Sequence, residues 1–289
     1  MPQSIELAYK HLRLSLRPDL GGCVAGFWLG DVPVLRSTPA ADLVTVRQCA
    51  SYPLAPFSNR IAQAKFDWQG QAYALAQNFL PEPHAIHGVA WQRPWQVKEL
   101  GAELAVLTYQ HQPDEAWPFA FDCEQSFSLG AAGLTMDLRI TNRHSQAAPV
   151  GGGWHPYFVK RPSSHIAFKA TGRWDMGADK LPTERQPSPG LRTNCKTLDV
   201  DHCFDGWQGA AELRDELLNI HIKSSLDRLV VFTHPSREFV AIEPVSHVNN
   251  AINMSTSRSS LSSLGMTSLE PDQTWSAQMT ISVEVTQVQ

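Results

Sequence analysis

The residues able to do chemistry fall in a few short stretches. In Gly151-Gly152-Gly153-Trp154-His155-Pro156-Tyr157-Phe158, one imidazole stands between large aromatic residues, after three glycines and before a proline. Glycine lets the backbone come close to a neighbour or a ligand. Pro156 biases His155 toward an extended conformation. Histidine titrates near neutrality, so His155 can give or take a proton there. The aromatic flanks suit the apolar faces of a sugar ring as well as those of other ligands. The plain alternative is a core histidine packed among aromatics. A second proton-exchanging group, Glu243, closes the apolar run Phe239-Val240-Ala241-Ile242. A carboxyl there is desolvated, which raises its pKa, and such a group is either paired or functional.

Four other stretches offer polar groups. In Pro56-Phe57-Ser58-Asn59-Arg60-Ile61, a turn is followed by the hydrogen-bonding side chains of Asn59 and Arg60. In Pro83-His84-Ala85-Ile86-His87-Gly88, two histidines lie three apart. They could join His155 and Glu243 around a metal, but a hydrogen-bonding His87 and a turn-capping His84 fit the pattern better. Asp201-His202-Cys203-Phe204-Asp205-Gly206-Trp207 carries two carboxylates. Asp205 has a ready explanation in the Asp-Gly turn, which leaves Asp201 as the candidate. His247, with Asn249 and Asn250, follows Glu243 in a loop. No glycine-rich phosphate loop, nucleophile elbow or dinucleotide fingerprint is present.

Composition narrows the classes. The chain has 289 residues, 43 % hydrophobic and 18 % charged, with a net charge of −4, an ordinary globular balance. No run of Lys and Arg stands out, so neither nucleic acid nor an anionic membrane is an expected partner. The N-terminus lacks a signal-peptide pattern. The five cysteines are scattered without a C-x-x-C pair, as expected of free thiols in a cytoplasmic protein.

The elements that must position these residues are strands. Leu134, Met136, Leu138 and Ile140 alternate with polar residues, as do Met279, Ile281, Val283 and Val285, Leu12 to Leu16, and Asn219 to Lys223. Period two marks half-buried strands. Leu229–Phe232 and Phe239–Ile242 read as strands covered on both faces. Phe66 to Leu75 reads as a hairpin turning at Gly70. Ala210 to Leu218 is expected as a short helix, and Pro182–Pro189 and Ser255–Ser263 as surface loops. The expectation is an all-β sandwich or barrel in one domain, residues 1–289.

Taken in order, these stretches resemble the aldose 1-epimerase (galactose mutarotase) family. The match rests on Pro56-Phe57-Ser58-Asn59-Arg60-Ile61, Ile86-His87-Gly88, Gly153-Trp154-His155-Pro156-Tyr157-Phe158, Asp201-His202-Cys203-Phe204 and Ile242-Glu243-Pro244. Lesser echoes include Gly21-Gly22 and Leu269-Glu270-Pro271. The resemblance implies a large antiparallel β-supersandwich of galactose mutarotase type. It implies His155 as general acid and Glu243 as general base for interconverting sugar anomers. Asn59, Arg60, His87, Tyr157 and Asp201 would bind the substrate. It implies no cofactor and no metal, a small carbohydrate as partner, and a monomer or homodimer. Gly88 is followed by Val89, and Phe158 by Val159-Lys160, where the family often has glycine and asparagine. The expectation is that these changes lie toward the distal end of the substrate.

Competing readings remain on the same fold. A hexose-6-phosphate mutarotase would want extra Arg or Lys facing the pocket, and the sequence displays no such cluster. A non-catalytic sugar-binding protein would not need both His155 and Glu243.

Overall fold

The computed structural model describes residues 4–254 and 258–286. Strands dominate. A nine-stranded sheet runs in the order Gln96–Leu100, Leu104–His111, Phe121–Gly130, Gly133–Asn142, Thr274–Val285, Leu218–Ser224, Ala210–Arg214, His165–Phe168, Leu191–Asn194. An eight-stranded sheet runs Pro182–Pro187, Gly172–Met176, Val200–Asp205, Arg228–Thr233, Phe239–Val245, Gly153–Trp154, Pro53–Leu54, with Tyr157–Val159 also pairing Phe239–Val245. The N-terminal residues form a four-stranded sheet from Ile5 to Pro33. Every ladder between these strands is antiparallel, as in Cys123 opposite Ile140 and Cys203 opposite Val230.

The period-two stretches are strands whose apolar residues mostly face inward; the exception is Val285, exposed at the end of Thr274–Val285 where the sheet no longer covers it. In Gly133–Asn142, Leu134, Met136, Leu138 and Ile140 are fully buried. The continuous runs are covered on both faces, Arg228–Thr233 and Phe239–Val245 lying in the interior of their sheet. Lys65–Trp68 and Gln71–Ala74 form the expected hairpin, with Gln69 and Gly70 both at positive φ in the two-residue turn.

Three local expectations need correction. Ala210–Arg214 and Leu218–Ser224 are strands, not one helix. Helix propensity in Ala-Ala-Glu-Leu loses to packing, because Ala211 and Leu213 turn inward while their neighbours turn out. Asp215 makes the turn between them, its Oδ1 accepting from the N–H groups of Leu217 and Leu218. Pro182–Pro187 is an edge strand and not a loop, a position where prolines disturb little pairing. Arg258–Ser263 is a short helix and not a loop; the remainder of that stretch, residues 255–257, lies outside the described residues.

The three glycines before Trp154 are there because backbone and rings fill the space of a side chain. A Cβ on Gly151 would lie 2.3 Å from His247 Cδ2, on Gly152 2.8 Å from the Leu54 carbonyl oxygen, and on Gly153 2.2 Å from the Pro244 carbonyl oxygen. Gly153 is squeezed between two strands, pairing Leu54 on one side and Val245 on the other. Overpacking a buried site costs about 1–3 kcal/mol. Gly153→Ala is therefore expected to lower the urea unfolding midpoint by a corresponding amount at unchanged slope. An unaltered midpoint would show that the strands part freely here.

Candidate active site

The floor of the site is written in the register of the eight-stranded sheet. Gly153 faces Val245, and Tyr157 faces Ala241. The same register, carried across the break between the two short strands, sets His155 opposite Glu243. On the other side the His155 N–H donates to the Tyr52 carbonyl oxygen at 3.0 Å. Directly opposed residues of antiparallel strands project from one face. One rung thus reads Tyr52, His155, Glu243, Val230, and the next reads Tyr157, Ala241, Phe232, Asp201.

The alternate residues Trp154, Phe158, Val240, Ile242, Leu229 and Val231 point the other way, into the core. The Trp154 indole N–H reaches Gln125 Oε1 of the nine-stranded sheet at 3.2 Å. One face of the sheet is core, and the other lines a cavity of about 340 Å³.

His155 Nε2 lies 3.3 Å from Glu243 Oε1, and the two residues are 7 % and 2 % exposed. The imidazole stacks on Tyr157 at 4.4 Å between ring centroids, with Tyr52 at 4.9 Å on another side. Tyr157 Oη is 3.5 Å from His155 Nε2. His155 Nδ1 and Glu243 Oε2 are buried without a hydrogen-bond partner. Burial pushes Glu243 well above the usual carboxylate range, with Asp201 adding to the rise. Burial likewise pulls His155 down to about 3, helped by the Arg36 charge. Both effects favour uncharged forms.

The walls come from two segments that lock together. His87 Nδ1 accepts from the Asn59 N–H at 3.1 Å, and the His87 N–H returns a bond to the Asn59 carbonyl oxygen at 2.8 Å. Asn59, His87 and Gly88 all take positive φ. At Gly88 a Cβ would sit 2.1 Å from the Ala55 carbonyl oxygen. Accepting at Nδ1 leaves His87 with its proton on Nε2, as an N–H donor. Burial, with His155 and Arg60 nearby, keeps it neutral by lowering its pKa strongly. Arg60 is held by both Glu82 oxygens, at 2.7 and 2.9 Å, and its Nη1 donates to Asn59 Oδ1 at 3.1 Å. The Asn59 amide NH₂ remains for the cavity.

All seven residues expected at the site, Asn59, Arg60, His87, Tyr157, His155, Asp201 and Glu243, line this one cavity. Others drop out for visible reasons. Asp205 is bound by Arg185 at 2.7 and 2.8 Å and by the Trp174 indole. His84 Nδ1 accepts from the Gln63 N–H, and its Nε2 is 3.1 Å from the Asp179 carbonyl oxygen, so neither nitrogen is free for a metal shared with His87. His247 is a buried support between Ser58 and Val248, held neutral by burial that lowers it to about 4. Trp91 stacks behind Tyr52 at 5.2 Å. The departures Val89 and Val159-Lys160 are not at the cavity. Val89 is buried, bonded to the Ala55 carbonyl oxygen, and Lys160 Nζ is bonded to the His234 carbonyl oxygen.

Sequence reasoning missed Tyr52, Glu82 and a set of cations. Arg36, Arg47, Lys180 and Arg237 converge on the cavity from four separate segments. No local run marks them, which is why the chain reads as having no basic cluster.

Comparisons with known proteins agree with this architecture. The family model for aldose 1-epimerase matches residues 3–282. The protein YphB of Escherichia coli K12 is 33 % identical over 218 residues, 72 % of this chain and 71 % of YphB. A crystal structure of a candidate aldose 1-epimerase from E. coli K12 superposes with a TM-score of 0.89 at 26 % identity, covering 99 % of this chain and 100 % of that one. A galactose mutarotase-like protein from Clostridium acetobutylicum shares the fold at a TM-score of 0.86 and 19 % identity, over 99 % and 96 % of the two chains. A match of this length, on a sheet architecture shared from end to end, means that the chain belongs to the aldose 1-epimerase family.

Proposed function

We propose that the protein is an aldose mutarotase, with Glu243 and His155 exchanging the protons that open and close the sugar ring. The observation that carries this reading is their 3.3 Å contact on the floor of a cavity large enough for a monosaccharide.

The proton count explains why the pair suits the task. Opening the ring removes a proton from the C1 hydroxyl and adds one to the ring oxygen. With Glu243 as carboxylate and His155 protonated, Glu243 takes the first and His155 gives the second. The sugar is then open, with Glu243 neutral and His155 neutral. The C1–C2 bond turns, and closure on the other face returns both protons. The pair holds one proton throughout.

In water a glutamate and a histidine differ by about two pKa units in favour of the ion pair. Burial raises Glu243 and lowers His155 to about 3, which reverses that bias, so the empty site holds both groups neutral with the shared proton on Glu243. The charged arrangement from which ring opening starts is then reached only with the sugar bound. Hydroxyls of the sugar can satisfy the unpartnered Glu243 Oε2 and His155 Nδ1.

The remaining groups orient the substrate. His87 Nε2–H, the Asn59 NH₂ and Arg60 donate to sugar oxygens, and Asp201 accepts from hydroxyls. Tyr157 and Tyr52 supply aromatic walls. Rigid donors of this kind hold the ring in one pose.

General acid–base help is worth about 10²–10⁴-fold. Glu243→Gln and His155→Ala are each expected to lower the rate of anomer exchange, read by saturation-transfer NMR, by a factor of this order. Because the two act as a unit, the double variant should lose little more than either single one. Acceleration retained in Glu243→Gln would remove Glu243 from the role of base.

A pH profile tests the shared proton. A second proton reaches the pair only below the depressed His155 value of about 3, and the last leaves only above the raised Glu243 value. Since kcat/KM reports the free enzyme, it should stay level through about 6.5, the ordinary histidine pKa. An acid limb centred there would mean that His155 titrates as an exposed imidazole.

A further inference from the structure

The mouth of the cavity carries charge that a neutral sugar does not use. Five cations line it, Arg36, Arg47, Arg60, Lys180 and Arg237, against the three carboxylates Glu82, Asp201 and Glu243. The whole chain has a net charge of −4, so the local sign runs against the global one. Two of the cations are accounted for, since Glu82 holds Arg60 at 2.7 Å and Lys180 at 3.6 Å. Among the described residues, Arg36, Arg47 and Arg237 have no carboxylate within ion-pair distance. Arg17, Arg143, Arg161 and Arg185 do; what sets the three apart from other unpaired arginines is that they converge on one cavity.

The three are also arranged. Arg36 is fixed by hydrogen bonds to the carbonyl oxygens of Cys49 and Arg47. Its guanidinium lies 3.9 Å over the Tyr157 ring, which in turn stacks on His155. Arg36 and His155 are thus both packed against the one Tyr157 ring. Arg47 stacks at 3.9 Å on Phe79, and Arg237 lies 5.9 Å from the Phe239 ring, which Arg36 also approaches at 5.2 Å. Arg47 and Arg237 are exposed at the rim, whereas His155 and Glu243 are buried at the floor. A sugar with C1 at the floor presents its far end to these guanidiniums. Planar guanidiniums pair oxyanions through charge-assisted bonds about twice as strong as neutral ones; Arg36 can offer only Nη1, since its Nε and Nη2 bond the Cys49 and Arg47 carbonyl oxygens.

Resting on the mutarotase reading, we propose that the aldose taken by this cavity carries an oxyanion, a phosphate or a carboxylate, at the end remote from C1, and that Arg36, Arg47 and Arg237 pair it. The anion fills the role that a carboxylate partner fills for Arg17, Arg161 and Arg185.

The test compares glucose, galactose and mannose, each with its 6-phosphate and its uronic acid, at low and high salt. Binding is read by titration calorimetry, and anomer exchange by NMR net of the spontaneous rate of each sugar. At least one anionic form is expected to bind about tenfold or more tightly than its neutral parent. Whether that form is the phosphate or the uronic acid identifies the oxyanion. The preference should shrink in high salt, as the Debye length falls from about 10 Å at 0.1 M to about 3 Å at 1 M. It should fall by a similar factor in the Arg47→Ala/Arg237→Ala double variant, whose replaced side chains are on the surface. Neutral parents binding as tightly as the anionic forms, a preference that survives loss of both arginines, or no binding by any of the sugars would overturn the proposal. The two readings fail separately. Equal turnover of neutral and anionic sugars leaves a mutarotase without anion selection. Preferential binding of an anionic sugar without accelerated exchange keeps the anion site and removes the mutarotase.

Discussion

The exclusion of water from one cross-strand pair governs the rest of the structure. Glu243 and His155 face each other on adjacent strands, and each is almost fully buried. A lone buried charge is expensive, but two groups that share one proton avoid having to hold a lone charge. Desolvation acts on them in opposite senses, raising the acid and lowering the base. The order of proton affinity found in water is thereby reversed, and the shared proton rests on Glu243 with both groups neutral.

Keeping such a pair dry and aligned requires a sheet covered on both faces. Behind it, Trp154 and Ile242 pack into the core. In front, the segments around Tyr52, Asn59 and His87 close over the floor, with Tyr52 stacked between His155 and Trp91. Polar groups on these segments satisfy one another before any ligand is involved. Asn59 and His87 exchange backbone and ring bonds, and Glu82 engages Arg60 through both oxygens. Their remaining donors are thereby fixed in direction, and an unfixed donor would lose rotamer freedom on binding.

Much of this was legible in the chain, and the part that was not has a common cause. Alternation along Gly133–Asn142 reports burial one residue at a time, so strands can be read locally. Glu243 and His155 draw notice by type and setting, while the roles of Asn59, Arg60, His87 and Asp201 rest on their match to the family's motifs. Register is a pairing between strands some ninety residues apart, and no local pattern encodes it. Tyr52 enters the site only because its carbonyl faces the His155 N–H. Asp205, already set aside for its Asp-Gly turn, is held by Arg185 and the Trp174 indole, contacts that no local pattern shows. Ala210–Arg214 misleads for the same reason, its helical composition yielding to strands on either side. The rim arginines, drawn from segments around residues 36, 47 and 237, are the extreme case.

On the proposed reading, the same division between ladder and loop separates chemistry from selectivity. The floor residues are tied on two sides by strand pairing, His155 through its neighbours Gly153 and Tyr157, and Glu243 between Val230 and the residues facing it. Moving one of them means breaking a sheet. Arg47 lies in the short turn Val46–Gln48, Arg237 in the turn before Phe239, and Lys180 in the turn before Pro182. None of these positions carries a ladder bond with a floor strand. The charge at the mouth can be altered by substitution at little structural cost. The proton-sharing pair below is left in place. If the floor carries the proposed proton exchange, a fold organised this way can keep that reaction constant while the rim that meets the far end of the substrate varies, and the cationic rim here is one such setting.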